Sequence, residues 1–127
     1  MRQILIMLAL AAAPASMFAQ SASISETTAV ARIAECLVQG APNDWQRLYM
    51  VVELENPGDE TGNVRYLAAR AADPDHPVAY TPCDLKKPAR VLIEARKRQV
   101  PERKGWVGAR LVLHEDGKFE LNYDYPK

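Results

Sequence analysis

The stretch from Gly105 to Pro126, GWVGARLVLHEDGKFELNYDYP, constrains the fold of this chain more than any other. Val107, Ala109, Leu111 and Leu113 alternate with Trp106, Gly108, Arg110 and His114, and after the polar turn Glu115–Lys118, Phe119, Leu121, Tyr123 and Tyr125 alternate with Glu120, Asn122 and Asp124. Period-two alternation on both sides of a turn predicts a half-buried β-hairpin, because successive strand side chains point to opposite faces. The Asp116-Gly117 pair supplies the positive φ that such a turn needs. One face of this hairpin requires a core, which the remaining chain must provide.

The first residues are not expected to contribute to it. Arg2, the apolar run Ile4–Ala13 and the break at Pro14-Ala15-Ser16 have the layout of an export signal peptide. Cleavage is expected after Ala19, with Ala15 as the competing position. The apolar run is shorter than the roughly 20 residues of a bilayer-spanning helix. Residues 1–19 are thus read as a signal peptide and residues 20–127 as a single domain, which places the mature chain in the periplasm without stable membrane insertion. In an oxidising compartment Cys36 and Cys83, the only cysteines, read first as a disulfide, with two separate buried thiols as the alternative.

Helix signals begin at Ser23, which with Glu26 matches a capping box, and Ser25 is a competing cap. Val30, Ile33, Ala34 and Leu37 form an apolar stripe at helical spacing, and Gly40 and Pro42 end it, so a helix is expected over Glu26–Gln39. A strand follows over Gln46–Glu55, with Leu48, Met50, Val52 and Leu54 inward and Arg47, Tyr49, Val51 and Glu53 outward. The turn-rich NPGDETG stretch (56–62) leads to a return strand over Asn63–Arg70, with Val64, Tyr66 and Ala68 on one face. Ala71–Pro82 reads as a proline-bearing loop with a short extended piece at Val78–Tyr80. A second helix starts between Asp84 and Pro88, buries Leu85, Ala89, Val91, Leu92 and Ala95, and is stopped by Pro101. The expected fold is α+β: an antiparallel four-stranded sheet with two helices on one face, in the order α-β-β-α-β-β.

Chemistry is sparse. All four serines (16, 21, 23 and 25) precede the folded body, which removes the usual serine triad, and neither the cysteines nor His76 and His114 have nucleophile or zinc-ligand spacing. No phosphate loop is present and no cofactor is expected. Nucleic acid is a poor partner for a chain whose 16 basic and 16 acidic side chains cancel. Charge is nevertheless uneven: basic residues crowd Lys86–Arg110 and acidic ones Glu26–Asp84, a dipolar pattern that suits either a charged protein partner or a solvated surface. The face of the sheet turned away from the helices would carry Arg47, Tyr49, Arg65, Arg110, Glu120 and Asp124. These side chains either pair among themselves across strands or anchor a partner protein.

The segment Asp44-Trp45-Gln46-Arg47-Leu48-Tyr49, Tyr66 on the return strand, Trp106 and DGKFELNYDY (116–125) together resemble the YezG-like immunity proteins of bacterial polymorphic toxin systems. The resemblance implies a small, non-enzymatic α+β antitoxin that binds and blocks a cognate toxin. With the export signal, it implies a periplasmic immunity protein that occludes a secreted toxin or effector. A ligand-binding or accessory module of the envelope is the alternative reading.

Overall fold

The computed structural model describes residues 24–127; the expected signal peptide, its cleavage positions and the cap residue Ser23 lie outside the described residues. The elements are α1 (Ile24–Gln39), β1 (Trp45–Glu53), β2 (Asn63–Arg70), β3 (Asp73–Ala79), α2 (Lys87–Arg96), α3 (Pro101–Lys104), β4 (Gly108–His114) and β5 (Phe119–Asp124). The strands form one antiparallel sheet in the order β3-β2-β1-β4-β5. The class is α+β, as the alternating and helical patterns predict, but the sheet has five strands and a third, short helix is inserted before the final hairpin.

Both differences trace to proline. Pro74 and Pro77 argue for a loop, because a proline cannot donate to a sheet ladder. β3 tolerates them because it is an edge strand, paired only with β2 through Arg70↔Asp73, Ala68↔Val78 and Leu67↔Ala79 with an irregularity between. α2 ends at Arg96, five residues before Pro101, the residue expected to stop it; Pro101 instead starts α3 from the first helical position, where its missing N–H costs nothing.

The stripe of α1 is buried as its spacing dictates: Val30, Ile33, Ala34 and Leu37 are all at or below 1% exposure. The helix starts two residues before Glu26, with Ser25 inside its first turn, and ends at Gln39 as expected. Against it stand Leu48, Met50 and Val52 of β1, Tyr66 and Ala68 of β2, and Ala109, Leu111 and Leu113 of β4, with Leu92 and Ile93 of α2 completing the cluster. Each fully buried side chain of this kind contributes about 1.5–3 kcal/mol. Phe119, Leu121 and Tyr123 pack on the same cluster from β5, whereas Tyr125, expected inside, is exposed. Trp106, assigned by alternation to the polar side, is fully buried, since it precedes β4 and is not bound by its period. Leu85 is 59% exposed because it stands ahead of α2, not on its inner face.

A compact staple joins α1 to the segment before α2. Cys36 and Cys83 form a disulfide, the Cys83 N–H donates to Cys36 O at 2.9 Å, and the Tyr80 hydroxyl donates to Leu37 O at 2.9 Å. Next to it the Tyr66 hydroxyl donates to Leu85 O at 2.6 Å. The Asp84 carboxylate accepts from the N–H groups of Lys86 and Lys87 at 2.8 and 2.9 Å, bonds that hold its carboxyl below the ordinary range. Among the described residues, no helix is long and apolar enough to cross a membrane.

Candidate protein-binding face

The sheet presents its other face without a covering helix, and strand register fixes what stands there. Directly opposed residues on antiparallel strands share a face. One row across the sheet is Leu67, Tyr49, Val112 and Glu120; the next is Arg65, Val51, Arg110 and Asn122; the third is Asn63, Glu53, Gly108 and Asp124. Arg47 stands in the row beyond Tyr49, between Ala69 and His114. All six residues expected on this face, Arg47, Tyr49, Arg65, Arg110, Glu120 and Asp124, therefore lie on one surface spanning β2, β1, β4 and β5.

Its centre is apolar. Tyr49, Val51 and Leu67 are half-buried, and Val112 and Ala69 are buried although no second layer covers them. The cover comes from long side chains lying along the sheet. Arg47 extends to donate from Nη2 to Pro74 O at 2.9 Å, while the Arg110 guanidinium sits over the Tyr49 ring, 5.7 Å from its centroid. Such stems shield apolar surface and keep their charged ends in water. Arg47 Nε is buried without a hydrogen-bond partner among the described residues, a cost of about 1–3 kcal/mol for a group removed from water.

The rim is charged. His114 Nε2 and Glu120 Oε2 stand 3.1 Å apart, and the Asp124 side chain lies over Gly108, where a Cβ would come within 3.1 Å of Asp124 Oδ2. Arg65 is exposed and has no ion-pair partner among the described residues. At the far end of β2, Arg70 Nε donates to Asp44 Oδ1 at 2.7 Å, and this bond keeps the Asp44 carboxyl below its usual range.

Sequence reasoning missed a polar knot beneath the opposite face. Glu26, at 4% exposure, accepts from the Tyr123 hydroxyl and from Gln99 Nε2 at 3.2 Å, and Gln99 Oε1 accepts from Trp106 Nε1 at 3.3 Å. Arg103 Nη2 approaches the same Glu26 oxygen at 3.7 Å, and Arg96 lies over the Trp106 ring. Four segments meet here; the capping signal marked Glu26 and the hairpin alternation marked Tyr123, but nothing in the sequence joined them. A groove of about 390 Å³ on the outside of the helix layer was also missed; Arg32, Arg90, Glu94 and Arg98 surround its floor of Ala29, Val91 and Ala95.

The disulfide commits both cysteines, so neither sulfur is a free thiol in this form. His76 Nδ1 is 2.9 Å from Asp73 Oδ1 in an exposed pair on β3. Among the described residues, no group of three or more His, Cys, Asp and Glu side chains is placed to hold a metal ion. Compared with protein-family models and with curated proteins, the chain has no match, and the candidate site stands on its geometry alone.

Proposed function

We propose that this chain is a periplasmic immunity protein, which binds a secreted toxin through the open face of its sheet and blocks it by occluding the toxin's active cleft. The observation that carries the reading is the arrangement around Tyr49: an aromatic ring flanked by Val51, Leu67 and Val112, capped by Arg110, and bordered by Arg65, Glu120 and Asp124. Tyrosine and arginine at the centre of a partly dehydrated patch are the residue types that anchor protein interfaces, and a mixed-charge rim selects partners by complementarity. Arg110 can leave the Tyr49 ring without breaking any secondary structure, so the patch can open to a partner. The resemblance of the Trp45 segment and of DGKFELNYDY to immunity proteins supplies the class of partner, and the amino-terminal export pattern supplies the compartment.

The groove lined by Arg32, Arg90, Glu94 and Arg98 favours a second reading, an envelope accessory module that takes a small ligand. The two are separated by one experiment. The tagged chain is used to capture partners from envelope extracts in about 0.5 M salt, which weakens purely electrostatic contacts. The immunity reading expects a stoichiometric protein with a toxin-like domain, lost on Tyr49→Ala and on Arg110→Glu and retained on Arg90→Ala. Capture that ignores Tyr49 and Arg110 would refute it.

A further inference from the structure

The two edges of the sheet are built differently. On β3 the outer edge includes Pro74 and Pro77, which offer no N–H, and Asp73, Asp75 and His76 crowd it with polar side chains. These are the usual means by which a protein prevents its edge strands from pairing with other chains. β5 has no proline, and among the described residues no strand lies beside its outer edge. His114 N–H donates to Lys118 O and Val107 N–H to Asp124 O, so the even-numbered residues of β5 turn their backbone groups toward β4. Backbone direction alternates along a strand, and the N–H and C=O groups of Phe119, Leu121 and Tyr123 therefore point outward.

We propose that the chain pairs with a second copy of itself through β5, antiparallel and centred on Leu121, to form one continuous ten-stranded sheet. Charge selects this register. Outward-facing backbone groups must meet one another, which allows only registers that set odd-numbered residues opposite odd-numbered ones. Centring on Glu120 places that carboxylate against its own copy. Centring on Asn122 places Glu120 against Asp124 of the second copy, twice. Centring on Leu121 instead sets Lys118 opposite Asp124, Glu120 opposite Asn122, Phe119 opposite Tyr123 and Leu121 opposite itself. Cross-strand pairs of opposite charge and of aromatic rings are favourable, and directly opposed like charges are not. Of these three registers only the Leu121 one opposes no like charges, and its pairs include two symmetry-related ion pairs; centring on Phe119 or Tyr123 would pair far less of β5.

The inference is independent of the toxin partner. It carries one consequence for the open face: Lys118 of the second copy comes to stand beside Asp124, so the rim of the face is completed across the two-fold axis.

Sedimentation of the purified chain over a concentration series up to the submillimolar range tests it. The wild-type chain is expected to associate to a dimer. Lys118→Glu opposes two carboxylates on each side of the axis and should weaken the dimer about tenfold, and Asp124→Lys should do the same by opposing two lysines. The double variant restores opposite charges and should recover the wild-type association, which a merely misfolded Asp124→Lys chain could not show. Lys118 is exposed in the hairpin turn, and a native circular-dichroism spectrum for Lys118→Glu keeps that variant informative by itself. A monomer throughout the range, including one that takes a strand from a different protein, would overturn the proposal. So would a dimer unmoved by the charge reversals.

Discussion

The Tyr123 hydroxyl donates to the Glu26 carboxylate, joining the first turn of α1 to the last strand across 97 residues of sequence. Burial, and then this bond to Glu26, push the Tyr123 phenol well above its ordinary range, so it remains a donor throughout the physiological range. Tyr123→Phe keeps the ring that stacks on Trp106 at 5.3 Å and removes only the hydroxyl. We expect a loss of about 1–3 kcal/mol, the cost of deleting one partner of a buried charged acceptor, read from urea denaturation.

Alkaline pH should destabilise the fold before any carboxylate matters. Burial pushes the Tyr66 phenol up to about 12 from its usual 10.0, while in the unfolded chain it titrates near that usual value. Above pH 10 the unfolded state therefore binds fewer protons than the folded one, and stability falls as pH rises. The contribution is whole below pH 10 and is lost by about pH 12. Tyr80 and Tyr123 are displaced in the same direction and steepen the fall. Denaturation midpoints measured from neutral pH upward, with tyrosinate absorbance in parallel, should show Tyr66→Phe flattening this decline.

Reduction of Cys36–Cys83 should cost about 4 kcal/mol, because the bond closes a loop of 47 residues in the unfolded chain. Cys83 is exposed, so a reductant reaches it without prior unfolding. Guanidinium denaturation with and without reductant should show the difference, and the Cys36→Ala/Cys83→Ala double variant should show none.

Gly40→Ala should destabilise by about 1–3 kcal/mol, as expected when an atom is forced into a filled space. A Cβ at this position would run into the carbonyl oxygen of Thr81 and stand 2.8 Å from Pro82 Cα. Both obstacles are backbone, tied down by the neighbouring disulfide. A drop in thermal midpoint without loss of the disulfide would establish the close approach.

The parts of this fold legible in the sequence are those governed by local periodicity. Within the elements themselves, the stripe Val30–Leu37 and the alternations of β1, β2, β4 and β5 place their inward residues correctly, because burial follows from the repeat; Trp106 and Tyr125, just outside β4 and β5, are the exceptions. Only the end of β3 was legible, as the extended piece at Val78–Tyr80; the rest was hidden because its prolines are forbidden only in the interior of a sheet, and whether a strand is at the edge depends on sheet order, which no local pattern encodes. Trp106 and Arg96 were missed for a related reason. Each is buried by segments distant in sequence: Trp106 meets Tyr123, and Arg96 Nη2 donates to Asp59 O at 2.8 Å. On the open face, alternation identified which side chains project outward, but the flattening of Arg47 and Arg110 over their neighbours depends on cross-strand register.

The disulfide also divides the molecule mechanically. Its loop runs from the end of α1 through β1, β2 and β3, whereas α2, β4 and β5 lie outside it, although β4 is hydrogen-bonded directly to β1. A force applied to the two chain ends passes from Cys36 to Cys83 through the sulfur bridge and bypasses the three-strand meander. Even fully stretched, the oxidised chain withholds the contour of those 47 residues, about 160 Å, which only reduction would release.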